Sequence, residues 1–191
     1  MRKPLIVLAA ALTLAGCGQA DEQQVLPPPG AGIGPAHQLA SLSEPVARAE
    51  RIGALACGDQ RRASVAHVEL FAHGRVVIVP AGIGVAPPRR RDGAYVRGGA
   101  CRYPLWTHEP TGLVELGAGG HTLGDLFDVW GEPLSARRLA RWRGRVRVYV
   151  GGRLQQGDPR AVPLDRHAQV VVQLGEPVLR PNADYAFPEG M

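Results

Sequence analysis

Four side chains are of types that could hold a metal ion: His67, His108, Glu109 and Glu115. Imidazole nitrogen and carboxylate oxygen suit zinc or copper. His108 and Glu109 stand just before a Pro110-Thr111-Gly112 turn signal and Glu115 just after it. If segments 102–107 and 113–117 pair around that turn, side chains on the two strands converge there. The spacing matches no standard metal signature, so the expectation is no resident cofactor, with zinc or copper as the alternative. Motifs for catalysis are missing: the chain has no G-x-S-x-G, no Walker A and no H-E-x-x-H. The glycines of Ala81-Gly82-Ile83-Gly84-Val85 lack a third partner, and Pro87-Pro88 follows where a phosphate-binding helix would have to start. His67, Asp125 and Ser135 offer the residue types of a triad, as almost any chain of this length does. The chain is therefore not expected to be an enzyme, a hydrolase being the remote alternative.

Arginine clusters twice. Arg89-Arg90-Arg91 follows Pro87-Pro88, and six arginines fall within residues 137–147. Guanidinium forks bind phosphate bidentately, so anionic lipid or lipopolysaccharide phosphate is one candidate partner for 137–147, and an envelope protein is another. The competing reading is solvated charge on a helix and an edge strand.

The N-terminus carries an address. Arg2 and Lys3 precede an apolar run over 5–14, too short to span a bilayer and suited to a signal-peptide core. It ends in Leu14-Ala15-Gly16-Cys17, which resembles the lipobox of exported bacterial lipoproteins. The resemblance implies a signal peptide over 1–16, cleavage before Cys17, and lipid on its sulfur and its new amino group, palmitate among the chains. Several acyl chains make such anchoring effectively permanent. Gly18 follows Cys17, with no Asp there, which in a Gram-negative cell implies the outer membrane, facing the periplasm. Removing 1–16 takes away Arg2 and Lys3 and no acid, leaving 20 bases against 17 acids, net +3 in place of +5. Nucleic acid is not an expected partner in that compartment.

Cys57 and Cys101 then remain as an even pair in an oxidising space, and a disulfide between them is the simple expectation. A metal-thiolate pair or a redox couple are the alternatives, but neither a CxxC nor a nearby histidine pattern accompanies the cysteines.

The elements that must position these residues are mostly strands. The 191-residue length suits one domain with attachments, and 25 glycines with 17 prolines exclude a long-helix protein. Residues 18–43, rich in Gly, Ala, Pro and Gln, read as a flexible tether behind the lipidated Cys17, with a single domain over 44–179 and a disordered tail over 180–191. Segments 66–72 and 75–80 flank His73-Gly74, and 145–150 and 153–155 flank Gly151-Gly152; both are hairpin signals. The two share a faint V-x-[LV]-[FY]-[AV]-x-G-R-[VL] repeat. Residues 169–174 suit a strand buried on both faces. Thr122 and Asp125 mark a helix start, Leu123, Leu126, Phe127 and Trp130 give it one apolar face, and Gly131 with Pro133 stops it. Residues 135–142 and 44–54 could hold further short helices, and the Arg89–Gly99 region reads as a loose loop. The result is an α+β domain: a mixed, largely antiparallel sheet with one packed helix, possibly β-grasp-like.

Segments 66–71 and 79–84, Cys101 with 107–112, 122–131 and 146–152 together resemble a group of exported bacterial proteins without an established activity, over roughly residues 57–175. Those proteins carry a His-x-His ending at the position of His108 and another His where Glu115 stands; here Trp106 and Glu115 occupy those places.

Overall fold

The computed structural model describes residues 51–191. The leader, Cys17, the tether and residues 44–50 lie outside the described residues. Two short strands, β1 (Arg51–Ile52) and β2 (Leu55–Ala56), form a hairpin where the second half of a helix was expected. The long strand β3 (Ser64–Ala72) turns through His73-Gly74 into β4 (Arg75–Val77). His73 and Gly74 both have positive φ, 52° and 72°, as the tight turn between right-twisted strands requires.

The Arg89–Gly99 region differs from the expected loose loop. β5 (Arg90–Asp92) and β6 (Tyr95–Gly98) pair around Gly93-Ala94, with Gly93 at φ 58°. An Asp-Gly step inside an arginine-rich segment was the local signal. β7 (Leu105–Trp106) and β8 (Leu113–Leu116) are the pair expected around Pro110. β7 is shorter than the expected 102–107, since Pro104 has no N–H to donate to a ladder.

Helix α1 (Leu123–Trp130) begins with a full capping box: the Thr122 hydroxyl accepts from the Asp125 N–H, and the Asp125 carboxylate accepts from the Thr122 N–H. Gly131 ends it in the left-handed conformation, at φ 80°.

Residues 134–143 are not the expected helix. They form a three-stranded antiparallel ribbon of β9 (Leu134–Ser135), β10 (Arg138–Leu139) and β11 (Trp142–Arg143). Leu139 faces both Leu134 and Trp142 across the ladders, so these three share one face by register rather than by helical period. Ala140 at φ 48° makes the second turn.

β12 (Val146–Val150) and β13 (Arg153–Leu154) form the second predicted hairpin, and a 3-10 turn at Pro159–Ala161 leads to β14 (Gln169–Leu174), buried at every residue.

The main sheet runs β13-β12-β14-β3-β8-β7, with β4 also pairing β3. Among the described residues β14 pairs β3 in parallel, and the other ladders are antiparallel. A first hairpin (β3–β4), a helix, a second hairpin (β12–β13) and a last strand inserted parallel to β3 follow one another along the chain, and β8 and β7 extend the sheet on the β3 side. The domain is α+β, with a mixed, largely antiparallel sheet and one helix. Among the described residues no helix is long and apolar enough to cross a membrane.

The two faces of the sheet differ. Val68, Leu70, Val114, Val148, Val170 and Val172 point to one side and join Leu126, Phe127 and Trp130 of α1 in the main core. The alternate residues point to the other side, because the pleat has period two. That second face is polar along β3 and β14, where His67 pairs with Gln169 and Phe71 with Gln173.

Residues 180–191, expected to be disordered, carry no helix or strand but lie along this second face. Gln173 clamps the approach: its Nε2 donates to the Leu179 carbonyl at 2.9 Å and its Oε1 accepts from the Leu179 N–H at 2.8 Å. Asn182 donates to both oxygens of Glu69 at 3.0 Å, and the Tyr185 ring stacks on His67. Phe187 stacks on His167 with ring centres 4.6 Å apart. Separate polar and aromatic anchors hold this segment, which is why it has no apolar periodicity to read.

Candidate functional site

Of the four candidate ligands, His108 and Glu115 form a pair, and His67 and Glu109 are linked only through Thr111. His67 is buried on β3, opposite Leu113 of β8. Its Nδ1 lies 2.7 Å from Gln169 Oε1 and its Nε2 2.9 Å from the Thr111 carbonyl. Both ring nitrogens therefore already face protein oxygens. Glu69, two residues along, has its Oε1 3.7 Å from His67 Nδ1 and also accepts from Gln169 Nε2 at 3.1 Å. The Tyr185 ring closes the group from above, 3.7 Å between centres and 15° from parallel. Glu109 stands nearby and accepts from the Thr111 hydroxyl at 3.1 Å. Gly112 is required here: at φ 85°, an added Cβ would lie 2.4 Å from the Val68 carbonyl and 3.1 Å from His67 Nε2.

His108 and Glu115 make the pair. β7 and β8 set Trp106 opposite Glu115, and His108 follows two residues later. His108 Nε2 lies 3.2 Å from Glu115 Oε2, and its Nδ1 hydrogen-bonds the Val96 carbonyl. The Trp106 indole N–H points at the same His108 nitrogen from 3.2 Å, and Arg62 Nη1 reaches Glu115 Oε1 at 3.3 Å. The strand pairing thus brings positions 106, 108 and 115 together, as the turn signal predicted. It leaves His67 apart, bound to β14 and the C-terminal segment.

The four do not converge on one point. Among the described residues no three His, Cys, Asp or Glu side chains group closely enough to hold a metal ion. Of the candidate set, His108 and Glu115 are the two residues that could share an ion, and two protein ligands fall short of the three or four of ordinary zinc sites. The paper triad is likewise spread out: Asp125 caps α1, Ser135 Oγ accepts from the Arg137 N–H on the ribbon, and His67 is held as described.

Electrostatics bind the His108–Glu115 pair. The hydrogen bond to Glu115 is the largest influence on His108 and raises its pKa, aided by the Val96 carbonyl and opposed by burial. For Glu115 burial is the largest single influence and acts upward, but the His108 hydrogen bond and charge, Arg62 and the Trp106 indole together bring its pKa below the usual value. A raised histidine pKa contributes stability that is present at low pH and lost as pH rises through the folded value. A lowered carboxylate pKa contributes stability that is lost as pH falls through the folded value. The pair therefore contributes most between the unfolded values of 4.5 and 6.5 and less on either side. His108→Gln is expected to weaken the alkaline decline in melting temperature. A pH series of melting curves in which parent and variant decline in parallel would contradict the pairing.

The cysteines are placed as expected. Cys57 and Cys101 are bonded to each other, with Cα atoms 5.6 Å apart and a sequence separation of 44. Beside the bond, Gly58 and Arg102 exchange backbone hydrogen bonds of 2.8 and 2.9 Å. Next to it, Ala86 N–H donates to the Cys101 carbonyl and Ala100 N–H to the Ala86 carbonyl, fastening the base of the β5–β6 hairpin. Sequence reasoning missed Gln169, Asn182 and Tyr185 around His67. The signal for Gln169 was a polar residue opening a strand otherwise apolar through Val172.

Compared with known proteins, the chain matches no family model, no curated protein and no solved structure.

Proposed function

We propose that this protein is a lipid-anchored lipoprotein of the bacterial cell envelope, held through Cys17, whose α+β domain binds or scaffolds an envelope component without catalysing a reaction. The observation that carries the reading is the Cys57–Cys101 bond. Disulfides persist in oxidising compartments, which supports export. The bond also leaves Cys17, at the end of the apolar leader, as the remaining cysteine of three. The hydrogen bonds that occupy His67, Asp125 and Ser135 support a domain built to hold shape rather than to react. In a Gram-negative cell the anchor would lie in the outer membrane, facing the periplasm.

Cys17→Ser is the first test. Cells expressing the parent are expected to incorporate labelled palmitate into a membrane-bound form, and the variant is expected to lose the label. Labelling that persists in the variant would overturn the lipoprotein reading. A second reading, a periplasmic zinc- or copper-binding lipoprotein, draws on the approach of His108 to Glu115. Metal content of the purified domain, with melting curves in added Zn²⁺ or Cu²⁺, separates the two. A stoichiometric ion and a melting shift abolished by His108→Ala would favour the metal reading.

A further inference from the structure

We propose that the outer face of the β9–β11 ribbon is a docking surface for an anionic bilayer, with lipid phosphates as the groups it recognises. Residues 133–145 contain five arginines and no acid, while Arg147 lies on β12 and pairs with Glu176 at 2.8 Å. The ribbon sorts its side chains by register. Leu134, Leu139 and Trp142 line up across the ladders, with Leu134 and Leu139 in the main core and Trp142 packed against it. Ser135, Arg138 and Arg143 line up on the opposite, outward face. Arg137 and Arg141 occupy the two-residue turns at the two ends of the ribbon, and Arg145 follows β11 after Gly144.

Arg137, Arg141, Arg143 and Arg145 are exposed. Arg138 stands directly opposite Arg143 on adjacent strands, a like-charge pairing that disfavours the ribbon even though Arg138 Nε–H donates to the Ala140 carbonyl at 2.9 Å. A surface needing only solvation or edge protection would be served by fewer charges or by charges of mixed sign. An array of phosphates relieves the repulsion, because each phosphate accepts two parallel N–H bonds from a guanidinium. Trp142, on the inward face, is half-buried, with the Arg141 guanidinium 4.9 Å from the centre of its ring. Backbone hydrogen bonds continue the ribbon's pairing past its strand ends: Ala140 N–H donates to the Pro133 carbonyl, Gly144 N–H to the Arg137 carbonyl and Val146 N–H to the Ala136 carbonyl. The arginines are therefore presented on a preformed scaffold. The proposal rests on the lipid-anchored reading for its setting, since an anchored domain meets headgroups at high effective concentration, but it is tested without the anchor.

The chain from residue 18 onward keeps every residue of the folded domain and lacks both leader and lipid. It is mixed with phosphatidylcholine vesicles and with vesicles of phosphatidylcholine and phosphatidylglycerol, and sedimented at low salt. Binding to the phosphatidylglycerol vesicles alone, falling with added salt, is expected. The triple variant Arg137→Gln, Arg143→Gln, Arg145→Gln is expected to bind roughly a hundredfold more weakly. A control triple, Arg75→Gln, Arg153→Gln, Arg166→Gln, removes the same charge from exposed sites elsewhere and is expected to bind almost as the parent does. If the first triple melts early, its three single exchanges serve instead, each expected to cost about fivefold. No parent binding, equal binding to neutral vesicles, or equal loss in both triples would overturn the proposal. Any of these would leave the lipidation of Cys17 untouched.

Discussion

Phe127→Ala is expected to destabilise the domain by ~3–5 kcal/mol, with Trp130→Ala close behind. Both side chains are fully buried and join the core cluster that links α1 to Val68, Leu70, Val170 and Val172 of the central strands. Their rings are in contact, centres 5.4 Å apart and tilted 43°. Truncation removes the transfer free energy of the ring and leaves a cavity that a close-packed interior fills only in part. The two positions differ in one respect. Among the described residues the Trp130 indole N–H has no hydrogen-bond partner, and an unpaired buried donor costs ~1–3 kcal/mol. Part of that cost disappears with the side chain, so Trp130→Ala falls towards the lower end of the range. Denaturant melts read the effect directly. A midpoint unchanged from the parent's would mean that this helix face does not seal the core.

The second large effect is loss of the disulfide. Cys57→Ala with Cys101→Ala is expected to cost ~3–4 kcal/mol, the loop-closure entropy for a separation of 44 residues. The cost has a place as well as a size. The bond sits beside the Gly58–Arg102 bridge and the Ala86–Cys101 hydrogen bond, so the β5–β6 hairpin and the β1–β2 hairpin lose a shared fixture. Amide exchange of the variant is expected to quicken first in residues 86–101 and remain slow in β14, which is covered on both faces. Uniform exchange changes across the domain, or a stability equal to the parent's, would contradict this.

Where a local signal dictated backbone geometry, the sequence was readable. His73-Gly74 and Gly151-Gly152 demand positive φ and make the hairpins expected of them. The Thr122–Asp125 box and Gly131 bound α1, and the unbroken apolar run of Val170–Val172 makes β14 central. The ribbon at 134–143 was misread because Leu139 and Trp142 stand three apart, a spacing that fits a helix face and also two residues facing across a two-residue turn. The β5–β6 hairpin hid behind exposed arginines, since only Val96 and Gly98 of its strands are buried.

The candidate site divides along the same line. His108 and Glu115 were within reach of sequence reasoning because one turn separates them and strand pairing follows from it. The surroundings of His67 were not, because Gln169 and Tyr185 lie more than a hundred residues away and meet it only once β14 inserts beside β3. A stacked ring and an amide hydrogen bond carry no periodicity, so tertiary proximity is the information the chain does not print locally.

Lipid anchoring requires cleavage before Cys17 and acylation of that residue. Intact-mass measurement of the protein extracted from host membranes reads both in one spectrum. The prediction is a chain starting at Cys17 that carries a diacylglyceryl group and an amide-linked acyl chain, with two hydrogens fewer for the Cys57–Cys101 bond. A chain that retains residues 1–16, or one cleaved elsewhere with an unmodified Cys17, would contradict it.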